Sequence, residues 1–213
     1  MGPSFQKEIV EMWRTHESPN YSYFEQVENL TEAFWDEGQA FRTLFNQLDL
    51  RRVVEIACGQ GRHTVLVPRS YESLLAIDTS IDAIAECRSR YGDLPRIRFE
   101  HSRDGQSIPA SSESQTAVFS YDAMVHFEPL TMVAYLSETA RVLIKGGRGL
   151  FHHSNYSGNP TGKFTEGLHW RNFMTKDLFA HFCSRQGLAV LQQIEFDWNG
   201  SPKLDCLTLF EKV

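Results

Sequence analysis

A glycine-containing turn followed by an acidic residue is the strongest chemical signal in the sequence. Residues 55–61 (EIACGQG) end an apolar run, and Gly59 and Gly61 let the backbone come close to a ligand. Asp78 ends the next apolar run, roughly 20 residues later, where a carboxylate can accept hydrogen bonds from ribose hydroxyls. An ordinary tight turn and a helix-capping Asp78 are the alternatives. The two features in register favour a nucleoside-containing ligand.

Two details of this turn bear on the class of ligand. The third glycine of a dinucleotide-binding fingerprint would fall at Thr64, and Glu55 places a carboxylate where a diphosphate would lie. A carboxylate repels a diphosphate and suits a cation. S-adenosylmethionine (SAM) carries both a sulfonium and an ammonium group. A cation such as SAM therefore suits this turn better than a dinucleotide does, and a nicotinamide-dependent oxidoreductase is the less favoured alternative.

Three histidines lie where expected strands end, and each could serve as a general base. A reaction at a hydroxyl group usually needs such a base, and histidine is the commonest choice near neutral pH. His126 follows the expected fourth strand, and His152 and His153 end the fifth. Neighbours on a strand face opposite sides, so only one of this pair should reach the site. His153 is favoured slightly over His152, His126 is an equal candidate, and a structural role is the alternative for each.

Strands and helices alternate from residue 51 onward. Apolar runs predict strands at 53–57, 74–77, 97–100, 117–120 and 149–153. Helices are predicted at 62–70 (with Pro68 inside it), 81–91 (capped by Thr79 or Ser80), 130–143 and 175–186 (between Thr175 as N-cap and Gly187), and turns at 146–147 and 199–202. Residues 188–196 and 204–210 form a hairpin. The alternation predicts an α/β fold with a mostly parallel sheet, covered on both faces and ending in an antiparallel pair.

The first fifty residues read as a helical cap ahead of a ligand-binding domain at 51–213. Residues 6–15 predict a short helix, and Tyr21, Tyr23, Phe24 and Trp35 add aromatic rings. Rings of this kind suit either a core or the wall of an organic-ligand pocket.

The composition narrows the kinds of binding partner and the cellular compartment that we expect for this protein. The 213 residues carry a formal net charge of −6, which argues against a surface built to grip a nucleic-acid backbone. Cys58, Cys87, Cys183 and Cys206 are far apart, so no zinc site is expected, and a reducing compartment fits them best. We find no signal peptide and no membrane-spanning stretch, so a cytoplasmic protein without a membrane partner is expected. The oligomeric state is left open.

Residues from Val53 to about Asn155 resemble the class I SAM-dependent methyltransferases, of the type that acts on small molecules. The resemblance rests on four segments in the family's order: 53–64 (VVEIACGQGRHT), 74–80 (LLAIDTS), 119–128 (FSYDAMVHFE) and 140–150 (ARVLIKGGRGL). It implies a Rossmann-like, seven-stranded sheet whose last pair is antiparallel, with SAM as the cofactor.

The resemblance also implies roles for single residues. The backbone at Cys58, Gly59 and Gly61 would border the methionine part of SAM, and Glu55 would order the turn or meet the ammonium group. Asp78 would hold the ribose hydroxyls. Asp104, with Gly105 beside it, is our choice for the adenine amino group, with Arg103 or a solvated loop as alternatives. Tyr121 and Asp122 would line the methyl-donor site. Asp122 and the histidines could hold a divalent metal, but no Asp-Asp pair supports one, and none is predicted.

The acceptor is harder to identify. Residues 155–172 form a long polar loop that leaves the ligand side of the fifth strand, where it could act as a substrate lid. Lys163, His169, Trp170 and Arg171 could contact the acceptor there. The stretch from Phe151 (FHHSN) to Met174 (WRNFM at 170–174), together with 205–210 (DCLTLF), resembles uncharacterised methyltransferases of bacterial biosynthetic clusters. This resemblance implies a hydroxyl of a sugar or natural product as the acceptor. N-methylation, a protein or nucleic-acid substrate, and a non-catalytic SAM-binding module are the alternatives.

Overall fold

The computed structural model describes residues 34–213. Its strands are β1 (Arg52–Ile56), β2 (Ser73–Asp78), β3 (Ile97–His101), β4 (Gln115–Ser120), β5 (Leu143–Ser154), β6 (Leu188–Trp198) and β7 (Ser201–Lys212). Its helices are α1 (Ala40–Phe45), α2 (Ile81–Tyr91), α3 (Pro129–Val142) and α4 (Lys176–Arg185), and 3-10 turns lie at Thr64–Leu66, Met124–His126, Phe164–Glu166 and Leu168–Trp170. The helix predicted at 6–15 and the rings of Tyr21, Tyr23 and Phe24 lie outside the described residues.

The strands of this region form one sheet in the order β3-β2-β1-β4-β5-β7-β6. Every pair from β3 to β5 is parallel, whereas β7 runs antiparallel to both β5 and β6. The prediction of a mostly parallel sheet that ends in an antiparallel hairpin is confirmed. The strand order reverses between β1 and β4, and open α/β sheets bind ligands beyond the carboxyl ends of strands at such a point.

One predicted helix is wrong. Residues 62–70 contain a single 3-10 turn at Thr64–Leu66 instead of a helix. Val67 is extended, with φ −62° and ψ 127°, because the ring of Pro68 disfavours the helical conformation in the residue before it. The turn predicted at 146–147 is a bulge inside a longer strand, since β5 already begins at Leu143 and Gly146 has a φ of 75°.

The other helix and hairpin predictions agree with the structure. Ser80 caps α2, because its side-chain oxygen accepts a hydrogen bond from the Ala83 N–H at 3.1 Å. Thr175 caps α4 in the same way through Leu178. Gly187 follows α4 with a φ of 71°.

Two apolar layers cover the sheet. On one face, the rings of Phe41 and Phe45 in α1 pack with Phe119 of β4, so this part of the predicted cap shares the core of the sheet. On the other face, α3 and α4 enclose a second cluster that contains Phe151 and Phe179. All four cysteines are free and buried. Between residues 34 and 213, none of the helices combines the length and the apolar character that a membrane crossing needs.

Candidate functional site

Three alternating residues give the segment after β1 its unusual backbone. Ala57, Gly59 and Gly61 have φ values of 59°, 54° and 84°, all in the left-handed region. This conformation is unfavourable for alanine because of its Cβ, and backbone strain of this kind clusters at binding sites. Sequence reasoning identified the two glycines and missed Ala57, although it continues their every-second-residue spacing. We call residues 57–61 the donor turn, and its shape depends on backbone conformation rather than on side chains.

Asp78 ties the end of β2 to the donor turn. Its Oδ2 accepts a hydrogen bond from the Gly59 N–H at 2.8 Å, and its Oδ1 accepts one from the Ser80 N–H at 2.8 Å. Burial raises the pKa of Asp78, although the hydrogen bonds from Ser80 and Gly59 oppose the shift. Each carboxylate oxygen can accept two bonds, so Asp78 can still accept a bond from a ligand hydroxyl.

Glu55 lies on β1 directly before the donor turn. Its side chain is only 2% exposed, and the Thr64 hydroxyl donates a 2.5 Å hydrogen bond to its Oε2. Burial raises the pKa of Glu55 to about 8, even though the bond from Thr64 and the charge of Arg62 lower it. Ionising this carboxyl is therefore costly until a positive charge comes near it.

The back of the donor turn packs against α2. The Cys87 thiol donates to the Gly59 carbonyl at 3.3 Å, and Cys58 is buried beside it. A Cβ at Gly61 would come within 3.2 Å of Cys87 Sγ and of the Tyr91 ring. Close packing thus reinforces the requirement for glycine at this position.

Asp104 and Gly105 lie in the loop after β3. Asp104 is exposed, and its Oδ1 accepts bonds from the Gln106 and Ser107 N–H groups, both at 3.0 Å. Burial would raise the pKa of Asp104, but these bonds outweigh it and lower the pKa. Gly105 is buried, with a φ of 62°. The aspartate closes its own turn in this structure, and Arg103 beside it is exposed.

Tyr121 and Asp122 follow β4, at the same edge of the sheet as the donor turn and Asp78, and we call the region beyond the carboxyl ends of β2, β1 and β4 the crevice. The Tyr121 ring is buried among Phe34, Phe41, His63 and His152, with ring centroids 4.1–5.2 Å apart, and burial raises its pKa. Asp122 has a left-handed φ of 53°, and its Oδ2 forms an ion pair with Arg62 at 2.5 Å. Arg62 directly follows Gly61, so this pair links the end of β4 to the donor turn.

The structure separates the two neighbouring histidines of β5. His152 lies beside Tyr121 on the crevice side, where its Nδ1 accepts the Asp122 N–H at 3.0 Å and its Nε2 faces Asp205 Oδ2 at 3.1 Å. His153 stacks on Phe179 in the opposite core layer, with ring centroids 3.9 Å apart.

Both ring nitrogens of His153 are engaged. Its Nδ1 donates to the Ser154 carbonyl, and its Nε2 lies 2.8 Å from the Thr208 hydroxyl. Burial lowers the pKa of His153 to about 3. Of the two histidines on β5, the structure therefore brings His152 to the site and His153 to the packed interior.

His126 lies in the 3-10 turn after β4 and contacts the long loop. Its Nδ1 must carry the proton, because it lies 2.6 Å from the Trp170 carbonyl, which can only accept. Burial lowers the pKa of His126 to about 4. Of the loop residues singled out in the sequence, Arg171 is buried on Asp205, His169 reaches the Ser201 hydroxyl at 3.3 Å, and Trp170 is 36% exposed. Lys163 lies at the start of the 3-10 turn Phe164–Glu166.

Residues 53–147, which include the donor turn, Asp78 and Tyr121, match the family model of a methyltransferase domain. This match identifies the segment from β1 into β5 as a methyltransferase domain. No curated protein is significantly similar to it in sequence.

Solved structures of methyltransferases share the fold. Geranyl diphosphate C-methyltransferase from Streptomyces coelicolor A3(2), in complex with Mg²⁺, geranyl diphosphate and S-adenosyl-L-homocysteine, is 14% identical, with a TM-score of 0.72 and full coverage of both chains. A putative SAM-dependent methyltransferase from Listeria monocytogenes is 16% identical, with a TM-score of 0.63 over 81% of this chain and 97% of that one. A SAM-dependent methyltransferase from Mesorhizobium loti is 16% identical, with a TM-score of 0.62 over 80% and 96%.

The residues of the crevice fit SAM, the methyl donor of this methyltransferase. Two acidic side chains, Glu55 and Asp78, flank the donor turn, and the negative charge of Asp78 adds to burial in raising the pKa of Glu55. A cationic ligand relieves this repulsion. When bound, SAM supplies an electrophilic methyl carbon on its sulfonium. Within residues 34–213, no group of three or more His, Cys, Asp or Glu side chains is arranged to hold a metal.

Proposed function

We propose that this methyltransferase acts on a small, uncharged organic acceptor, such as a sugar or natural product. The observation that carries the proposal is the cluster of aromatic rings around Tyr121, which directly follows β4, the strand beside β1 and its donor turn. The ion pairs nearest to it, Arg62–Asp122 and Arg171–Asp205, neutralise one another within the chain. Apolar and aromatic walls with few polar groups are typical of small-molecule pockets.

The donor end of the site follows from the carboxylates and the turn. In this proposal Asp78 accepts hydrogen bonds from the ribose hydroxyls, and Glu55 lies nearest the positive charges of SAM. The backbone of Cys58, Gly59 and Gly61 borders the methionine part. Asp104 and Gly105 lie beside the adenine, at the end of β3, which neighbours β2 in the sheet.

For a hydroxyl acceptor we assign the general base to His126. Its Nδ1 carries the proton, so its lone pair is on Nε2, and the lowered pKa keeps the ring neutral near pH 7. N-methylation is the second candidate, because both ring nitrogens of His152 and of His153 bond to protein groups and an amine nucleophile needs little help from a base.

Labelled SAM tests the donor site and the acceptor class together. Purified protein is given sugars, phenols and amines, and product formation is compared between wild type, Asp78→Ala and Asp82→Asn. Asp78→Ala should weaken SAM binding roughly ten- to hundredfold, in line with losing charge-assisted hydrogen bonds of about 1.5–3 kcal/mol. Asp82 is exposed in the first turn of α2, so Asp82→Asn is the matched control. Unchanged affinity in Asp78→Ala would remove its ribose role.

His126→Asn then separates the two kinds of nucleophile. Its amide N–H can still donate to the Trp170 carbonyl from the position of Nδ1, but it has no nitrogen lone pair at the position of Nε2. With a hydroxyl acceptor, turnover should fall about 10²–10⁴-fold while SAM affinity is kept. With an amine acceptor, turnover should change little. His181→Asn, on the exposed face of α4, is the control. Full activity of His126→Asn on a hydroxyl acceptor would exclude this histidine as the base.

A further inference from the structure

We propose that Arg171, Asp205 and His152 form a buried positioning network that couples docking of the loop at residues 155–172 to SAM binding at the donor turn. The inference rests on the donor site of the proposed function and does not depend on which acceptor is methylated. None of the three is a catalytic residue in this proposal. They act through Asp122 and Arg62, which border the donor turn.

The first link joins the loop to the sheet. Arg171 donates from Nε to Asp205 Oδ1 at 2.9 Å and from Nη2 to Oδ2 at 2.5 Å. The side chains of Arg171 and Asp205 are 4% and 0% exposed. Burial opposes the charge on Asp205, but the bonds from Arg171 and His152 outweigh it and lower the pKa of Asp205. Undocking the loop would leave a buried carboxylate without its main partner, which is costly.

The second link is the tautomer of His152. Its Nδ1 accepts the Asp122 N–H, so this nitrogen carries no proton and the ring proton lies on Nε2. Nε2 then donates to Asp205 Oδ2 at 3.1 Å. Because the ring is fully buried, both bonds are protected from water. Asp205 thus holds His152 in the one neutral form that can accept the Asp122 amide.

The third link reaches the donor turn. Asp122 has a φ of 53°, a conformation that a non-glycine residue keeps only when its surroundings hold it. The bond to His152 fixes its amide, and the ion pair with Arg62 fixes its carboxylate. Because Arg62 directly follows Gly61, a shift of Asp122 is transmitted to the donor turn.

The loop has the features of an element with two states. His169 and Trp170 are consecutive residues with left-handed φ values of 48° and 59°. Hydrogen bonds to the rest of the fold hold this strained segment. They include His126 to the Trp170 carbonyl, Arg171 to Asp205, the Asn172 N–H to the Val125 carbonyl at 2.9 Å, and His169 to the Ser201 hydroxyl. Because the left-handed backbone of this segment is strained, the loss of one of these bonds favours release of the segment from the fold.

Coupling of this kind is reciprocal. If the docked loop favours the SAM-binding form of the turn, then SAM or its product must favour the docked loop by the same factor. S-Adenosylhomocysteine is a suitable probe, because it occupies the donor site without reacting. Its binding should slow backbone hydrogen exchange at residues 167–172, which the network links to the donor turn through Asp122.

Two substitutions of His152 cut different links. His152→Gln can reach the Nε2 position and keep the bond to Asp205, but it offers no acceptor to the Asp122 N–H. His152→Asn places an amide oxygen near the Nδ1 position and keeps the Asp122 bond, but loses Asp205. Calorimetry with S-adenosylhomocysteine and hydrogen exchange are measured for both variants and for wild type, after thermal unfolding confirms that each is folded.

We expect His152→Gln to bind S-adenosylhomocysteine roughly tenfold more weakly, within the usual range of coupling between sites. His152→Asn should bind it nearly as well as wild type. In both variants the probe should no longer protect residues 167–172. A probe that fails to protect the loop in wild type, or protects it equally in all three proteins, would overturn the proposal.

The double variant Arg171→Met/Asp205→Leu distinguishes loss of the network from misfolding caused by an unpaired buried charge. Removing both buried charges together avoids leaving one unpaired, so the fold should survive. It should lose probe protection of the loop and bind the probe more weakly. Arg148→Met is the control, because the partly exposed Arg148–Glu211 ion pair also joins β5 to β7 but lies outside the network. This variant should change neither the protection of the loop by the probe nor the affinity for the probe. None of these measurements needs an acceptor, so failure to find one would contradict the proposed function and leave this test intact.

Discussion

Glu55 should make SAM binding depend on pH. Burial raises its pKa to about 8 in the ligand-free protein, from an ordinary value of 4.5. Between these values the folded protein keeps a proton that the unfolded chain has lost, so Glu55 lowers the free energy of unfolding as pH rises. A cationic ligand favours the ionised carboxylate. SAM affinity should therefore rise up to about tenfold per pH unit and level off above about pH 8.

Calorimetry between about pH 6 and pH 9 measures this effect, and buffers of different ionisation enthalpy report the proton released on binding. Glu55→Gln keeps an acceptor for the Thr64 hydroxyl but cannot ionise. Its SAM affinity should be low and flat over the same range. The same slope in Glu55→Gln and wild type would assign the titration to another group, such as Asp78.

The histidines show what sequence can and cannot predict about single residues. Strand alternation correctly requires that His152 and His153 face opposite sides. It does not say which side is the crevice, because both faces of a parallel sheet are buried and apolar. The preference for His153 came from position alone, and the structure stacks that ring on Phe179. The carboxylate that engages His152 is Asp205, 53 residues further along the chain, and no local pattern in the sequence links the two.

At the scale of elements, the donor turn should depend on the contact of Gly61 with α2. Gly61→Ala adds left-handed strain of about 1–2 kcal/mol and a Cβ within 3.2 Å of Cys87 and Tyr91. Gly200→Ala is the matched control: its φ is 77°, and a Cβ there has nothing within 4 Å. Both variants should lose stability in urea, Gly61→Ala by more. Only Gly61→Ala should lose SAM affinity, and equal losses in the two would make α2 irrelevant to the turn.

Helices and turns marked by capping or turn residues were predictable from the sequence. A segment in which one residue opposes the pattern of its neighbours was not. The N-cap and apolar spacing of α2 fixed its bounds, and Asn-Gly at 199–200 gave the hairpin, with φ values of 45° and 77°. The helix expected at 62–70 failed because Pro68 outweighed the pattern around it. The donor turn itself was predictable from Gly59, Gly61 and Asp78. Close approach of the backbone to a ligand requires glycine, and the acidic residue stands at the end of an apolar run that marks a strand.

For the molecule as a whole, the position of the donor turn predicts that ligand binding stabilises the entire fold. The turn and Asp78 follow β1 and β2, and Asp122 follows β4, so a ligand in the crevice ties together three adjacent central strands. At about 100 times its Kd, a ligand that binds only the folded state adds about 2.7 kcal/mol. In a chain of this size, that gain raises Tm by about 5–10 °C.

SAM and S-adenosylhomocysteine should both produce this shift in a thermal unfolding experiment, and NAD should not. Glu55 repels a diphosphate, and Thr64 occupies the position at which a dinucleotide site needs glycine. Asp78→Ala should remove most of the shift caused by SAM, while Asp82→Asn should keep it. An equal shift with NAD would mean that the crevice recognises only adenosine, and that Glu55 does not select for the cation.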